Sequence, residues 1–195
     1  MTKDRYEIRF AGSGGQGIIM AAIVLAEAAG VYDGNYVCQT QSYGPEARGG
    51  NSRAEVVISK EAIDYPRAVQ PDLLLAMNQA AYDTNFPDLK SEGLLVVDAS
   101  LVDQVPTGRI VAISFTKIAR KDVGKEFAAN MVALGAVAYL TQVVSLKGLE
   151  KTLTARVPEK TEKMNRKALH AGVKAARKVD LSALPHFVNP EDEEV

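Results

Sequence analysis

One cysteine, two histidines and no tryptophan set the first limits on what this chain of 195 residues can do. Cys38 has no second thiol to pair with, so an internal disulfide is excluded. A single thiolate cannot hold an iron–sulfur cluster or a structural zinc either. The histidines, His170 and His186, fall late in the chain among charged or loop residues. Neither sign of charge is in excess: Lys plus Arg is 23 and Asp plus Glu is 24, a net charge of −1. That balance argues against a role built on nucleic-acid or anionic-membrane binding. No apolar run approaches the ~20 residues of a membrane span, and the opening MTKDRYEIRF does not read as a signal peptide. A soluble, cytoplasmic protein is expected, with neither nucleic acid nor membrane among its partners. Also missing is a G-D-G followed downstream by paired Asn, the usual signature of thiamine diphosphate binding.

What is present reads as one globular unit. Hydrophobic residues make up 47% of the chain, enough for a large core. YEIRFAG (6–12) reads as a strand ending in glycine, and IIMAAIVLAEAAG (18–30) as a helix stopped by Gly30. YVCQTQ (36–41) and RAEVVIS (53–59) read as two strands with no helix between them. DLLLAM (72–77) and LLVVDA (94–99) are continuous apolar runs, which suit strands buried on both faces. AYDTNF between them reads as a short helix, and RIVAIS (109–114) as a further strand. EFAANMVALGAVAYLTQVV (126–144) fits a helix buried almost all round. Its small residues Ala128, Ala129, Gly135, Ala136 and Ala138 permit close approach by a neighbour. TEKMNRKALHAGVKAARKV (161–179) reads as a polar, basic helix. The acidic end 189–195, NPEDEEV, is expected to be mobile. The alternation implies a single three-layer α/β/α Rossmann-like domain over residues 1–195, with a mixed, mostly parallel sheet.

Two glycine-rich stretches carry the candidate site. GSGGQG places Gly12, Gly14 and Gly17 as G-x-G-x-x-G between a strand and a helix, with Gly15 and Gln16 inside it. Such a turn brings backbone N–H groups and the positive helix end close to a phosphate. A dinucleotide site also wants an acid at the end of the second strand. NYVCQTQ has none, and Asp33 precedes that strand, so NAD is disfavoured. The competing reading is a glycine turn that packs helix on sheet. The second stretch is YGPEARGG (43–50). Pro45 stiffens its entry, Gly49 and Gly50 loosen its exit, and Glu46 and Arg48 project between them. Arg48 offers a planar fork for carboxylate or phosphate, and Asn51, Ser52 and Arg53 add donors. The bland alternative is a solvated loop with a surface ion pair.

GSGGQGIIMAAIVLAEAA, QSYGPEARGGNSRAEVVIS, DLLLAMNQAA and NMVALGA together resemble the gamma subunit of 2-oxoacid:ferredoxin oxidoreductases. The resemblance covers most of residues 7 to 140 and thins afterwards. GPEARGG followed by S-x-A-E-V-x-I-S is closer to the 2-oxoglutarate branch, while the pyruvate branch tends to read GPERRG. Indolepyruvate enzymes carry a related domain. The resemblance implies a complex that decarboxylates a 2-oxoacid, passes two electrons to ferredoxin or another acceptor, and transfers the acyl group to coenzyme A. It implies alpha and beta partner subunits, and a delta subunit in some members, carrying thiamine diphosphate and iron–sulfur clusters. This chain would then be a non-redox subunit with no tightly bound cofactor. Coenzyme A is a candidate co-substrate near Gly12, Gly14, Gly15, Gln16, Gly17, Tyr43, Glu46, Arg48, Gly49 and Asn51, and no residue is assigned a catalytic role. Alone, the chain is expected to be inactive and able to form a homo-oligomer.

Other residues are read more plainly. Cys38 is expected to be a small buried hydrophobe in a strand. His170, with no acidic partner evident in sequence, is expected at the surface. Asp98 suits either a site at a strand end or a cap for the segment starting at Ser100. Two further readings of the whole chain stand beside the subunit reading. One is a stand-alone nucleotide-binding oxidoreductase of Rossmann type, and the other is an assembly module whose glycine loops serve packing alone.

Overall fold

The computed structural model describes residues 4–43, 50–105 and 108–185. Six strands form one sheet: β1 (Arg5–Ser13), β2 (Tyr36–Tyr43), β3 (Asn51–Ser59), β4 (Leu73–Ala76), β5 (Leu94–Asp98) and β6 (Ile110–Ile113). Their spatial order is β2-β3-β1-β4-β5-β6. β1, β4, β5 and β6 are parallel, and β3 runs antiparallel to both β1 and β2. The sheet is therefore mixed and mostly parallel, as the missing helix between β2 and β3 predicts. The continuous apolar runs become β4 and β5, buried at every position.

Helices cover both sides. On one side α1 (Ile18–Glu27), α4 (Ala129–Thr141), α5 (Leu146–Arg156) and α6 (Glu159–Ala176) close over Ile8, Phe10, Val56, Leu75 and Val96. On the other, α2 (Gln79–Asn85) sets Ala81 and Tyr82 against Leu74, Leu95 and Val97. A short α3 (Phe115–Ile118) follows β6. Towards β3 this second side turns polar. Arg9 and Glu55 are buried there and paired at 3.2 Å, and Arg9 also bonds Asp88 and the Ala68 carbonyl. Arg67 and Arg53 reach Glu55 from 3.2 and 3.5 Å.

The small residues of α4 do what the sequence predicts. A Cβ on Gly135 would stand 2.0 Å from the Leu169 carbonyl oxygen, and one on Gly172 would stand 1.8 Å from that of Val132. α4 and α6 thus meet backbone to backbone.

Four expectations need correction. Gly30 does not stop the first helix. The chain continues through a π turn, Ala28–Tyr32, because Ala28 and Ala29 are buried and gain from staying helical. The apolar run 126–144 is not one helix: a 3-10 turn at Glu126–Ala128 precedes α4, which ends at Gln142 with φ 56. Cys38 is only half-buried, because β2 is an edge strand. His170 is exposed as expected but does have an acidic partner, Glu150 on α5, at 2.7 Å. No helix among the described residues is long and apolar enough to cross a membrane. The acidic segment 189–195 lies outside the described residues.

Candidate functional site

The glycine turn leaves β1 at Ser13 and enters α1 at Ile18. Gly15 (φ +94) and Gly17 (φ +71) adopt left-handed backbone, where a side chain is strained. The turn is pinned from several directions. Gln16 folds back so that its Oε1 accepts from the Ser13 amide at 2.7 Å, and its Nε2 donates to the Met77 carbonyl at 3.2 Å. Asn78, just past β4, donates through Nδ2 to Ser13 Oγ and Gln16 Oε1. Its Oδ1 accepts from the Ala81 amide and so caps α2. From α4, Asn130 donates to the Gly17 carbonyl at 3.0 Å. The Gly14 amide donates to the Gly50 carbonyl at 2.8 Å, tying the turn to the exit of the second glycine-rich stretch.

Two hollows flank the turn. On the α4 side lies a cleft of about 400 Å³, lined by Gly15, Gln16, Met77, Leu101, Thr116 and Phe127. These residues follow β1, β4, β5 and β6 or precede α4, so the cleft sits outside the carboxyl ends of the parallel strands. Open α/β sheets place ligands there. Phe127 is 63% exposed and Leu101 is 41% exposed, so the cleft offers apolar surface to an incoming group. Asp98 braces its wall. Fully buried at the end of β5, it accepts from the Thr116 amide and hydroxyl and from the Ser100 amide. Of the two readings offered for it, the structure shows the cap of Ser100. Asp98 itself is buried behind the cleft rather than lining it.

On the α2 side is a smaller hollow of about 150 Å³, where Gly12, Tyr43, Asn51 and Arg53 meet Thr84 and Asn85. Asn85 Oδ1 is buried there with no hydrogen-bond partner among the described residues.

The sequence-named residues therefore divide. Gly12, Gly14, Gly15, Gln16 and Gly17 form the turn between the hollows. Tyr43 ends β2 and Asn51 begins β3, beside the smaller hollow. Glu46, Arg48 and Gly49, with Pro45, lie outside the described residues. Sequence reasoning missed Asn78, Asn130, Leu101 and Phe127. The only signal for the two asparagines is a lone amide at the end of an apolar strand run or inside an apolar helix. Asp33 is explained structurally: its carboxylate accepts from the Ser145 amide at 2.7 Å and hydroxyl at 2.6 Å, at the start of α5. Among the described residues no group of three His, Cys, Asp or Glu side chains is placed to hold a metal ion.

A mixed, mostly parallel six-stranded sheet with helices on both sides, and a cleft beside a glycine turn, defines an open α/β domain. Residues 7–175 match the Pyruvate ferredoxin/flavodoxin oxidoreductase family. The chain belongs to that family. It is 45% identical over 181 residues to the 2-oxoglutarate synthase subunit KorC of Methanocaldococcus jannaschii, a match covering 91% of this chain and 97% of that protein. The keto/oxoacid ferredoxin oxidoreductase gamma subunit from Geobacter sulfurreducens superposes with a TM-score of 0.82 at 48% identity, over 89% of this chain and 97% of that one. The 2-oxoglutarate:ferredoxin oxidoreductase from Magnetococcus marinus, solved with 2-oxoglutarate, coenzyme A and succinyl-CoA bound, superposes at 0.83 and 26% identity. That match covers 96% of this chain and 34% of that one. The resemblance to gamma subunits, and to the 2-oxoglutarate branch among them, agrees with these matches.

Proposed function

We propose that this chain is the gamma subunit of a 2-oxoglutarate:ferredoxin oxidoreductase. The complex converts 2-oxoglutarate and coenzyme A to succinyl-CoA and carbon dioxide, and passes two electrons to ferredoxin or another oxidised acceptor. The observation that carries this reading is the near full-length match, in both directions, to a 2-oxoglutarate synthase subunit. It favours the subunit over a stand-alone dinucleotide enzyme or a pure assembly module. One cysteine leaves the iron–sulfur clusters to the partner subunits, and the missing G-D-G with downstream paired Asn leaves thiamine diphosphate to them as well.

Within that complex the chain's own part is to bind and orient coenzyme A. The 400 Å³ cleft suits the apolar portions of that molecule, with Phe127 and Leu101 as contact surface. The amides of Ser13, Gly14 and Gln16 are already engaged within the protein. Phosphate would therefore be met by other amides of the turn, by the positive end of α1, and by Arg48 or Arg53. Arg48→Lys keeps the charge but loses the fork, and is expected to weaken a bidentate contact.

Reconstitution with the partner subunits tests the reading. The isolated chain should be colourless and should not reduce dye with 2-oxoglutarate. The complex should do so, and omission of this chain should abolish it. Phe127→Ala should raise the KM for coenzyme A about ten-fold, roughly 1.4 kcal/mol of lost apolar contact, and leave that for 2-oxoglutarate near wild type. Robust turnover by the isolated chain would overturn the subunit role. Unchanged KM values in a folded Phe127→Ala complex would remove coenzyme A from the cleft.

A further inference from the structure

The two edges of the sheet are built differently. β6 is four residues long, and shortness is a common way to blunt an edge. β2 runs for eight residues, YVCQTQSY, with no charged residue, glycine or proline among them. In a chain of which 24% is charged, that is an unprotected strand. Such an edge is a ready template for another strand. Large apolar side chains cluster on and beside it: Tyr36 (55% exposed), Tyr43 (68%), and Val31 (69%) in the preceding turn. The Thr40 carbonyl is met by its neighbour's side chain, Gln39 Nε2, at 3.1 Å.

We propose that β2 pairs antiparallel with β2 of a second copy of this chain, joining the two sheets across a two-fold axis. Several features select a second copy. A two-fold axis sets residues near it against themselves or their near neighbours, so a charge there would face its own kind. Gln39, Thr40 and Gln41 are neutral, and the Thr40 hydroxyl is turned inward to Glu55 of its own chain at 3.3 Å. The axis also keeps each face of the sheet continuous, so opposed residues must point to the same face. Centred on Thr40, the register sets Thr40 opposite Thr40, Cys38 opposite Ser42, Gln39 opposite Gln41 and Val37 opposite Tyr43. Tyr43 then covers Val37 of the other copy, an aromatic–β-branched pair repeated on both sides of the axis. It would also lie near the Ala28–Tyr32 turn that carries the exposed Val31. Centring on Gln39 instead would set Val37 against Gln41 and lose both pairs.

Cysteine crosslinking of the full chain tests the register, in a Cys38→Ser background. Thr40→Cys would oppose its own copy with Cα atoms about 5.5 Å apart or closer, within the range of about 4.4–6.8 Å that a disulfide spans. Mild oxidation should give a disulfide-linked dimer with Thr40→Cys, and far less with Gln39→Cys, which faces Gln41. Thr40→Lys should halve the mass seen by light scattering, from two chains to one, while the circular dichroism spectrum stays that of the folded chain, although the Thr40 hydroxyl gives up its 3.3 Å bond to Glu55. A wild-type chain that scatters as one copy at tens of micromolar would overturn the proposal, as would equal crosslinking at 39 and 40. In the assembled complex, a Thr40→Cys crosslink to a different subunit would also overturn it. The readouts are mass and crosslinking, so they are independent of the catalytic reading above.

Discussion

Gly17→Ala isolates what the glycine turn asks of its last residue. Gly17 sits at φ +71, and a Cβ built there would stand 2.3 Å from Asn130 Nδ2 and 2.9 Å from Asn130 Cγ. Two costs follow. Holding alanine in left-handed backbone costs roughly 1–2 kcal/mol. Asn130, 8% exposed on α4, must also move, which breaks its 3.0 Å bond to the Gly17 carbonyl. A net hydrogen bond is worth about 1 kcal/mol. The expected loss is therefore about 2–3 kcal/mol, or about 4–12 °C in Tm for a chain of this size. Urea unfolding of the full chain measures it. A double-mutant cycle separates the two parts: with Asn130→Ala already present, Gly17→Ala should cost only the backbone strain. The coupling between the positions should be about 1 kcal/mol. If Gly17→Ala unfolds with wild type, or costs the same in both backgrounds, contact with Asn130 is not what requires glycine here.

At the seam of α4 and α6, Gly172→Ala gains about 1 kcal/mol of helix propensity on paper. Its Cβ would fall 1.8 Å from the Val132 carbonyl oxygen, so a net loss of about 1–3 kcal/mol is expected in denaturant melts, and a gain would contradict the close packing. Tyr6 should keep its proton in alkali: burial raises its phenol above the ordinary value of 10.0, and the Asp72 carboxylate adds to the rise. The unfolded phenol ionises first, so this contribution to stability is whole below pH 10 and declines as pH rises beyond it, by up to about 1.4 kcal/mol per pH unit. Tyr6→Phe should flatten that decline, and identical alkaline melts would refute the assignment.

Much of the frame is legible in the residues themselves. β4 and β5 announce double burial by unbroken apolar runs, and the absence of a helix between β2 and β3 gives the mixed sheet. The small residues of α4 foretell a close neighbour. What is not legible depends on partners distant in sequence. Gly30 reads as a stop, yet Ala28 and Ala29 are drawn into the core and carry the helix past it. Cys38 reads as interior because a lone cysteine in a strand usually behaves as a small buried hydrophobe, but strand order leaves β2 at the edge. Phe127 reads as core because it opens an apolar run, whereas the 3-10 turn before α4 presents it to the cleft. The roles of Gln16, Asn78 and Asn130 appear only once strands and helices have met.

Those last contacts bear on the order of folding. The turn takes its shape from side chains and carbonyls lying 61, 62, 65 and 113 positions away along the chain. Contacts of such separation reward the chain only after long loops have closed. The first three close together with the pairing of β1 and β4, whose partners Ile8 and Leu73 are as far apart. The Asn130 contact must also wait for α4 to dock, so the sheet can be complete while Gly17 is still unfastened. A nascent chain stalled before residue 130 lacks the asparagine that fastens Gly17, and would have strands without a finished site. Pulsed hydrogen exchange during refolding should place the amides of this turn among the last to become protected.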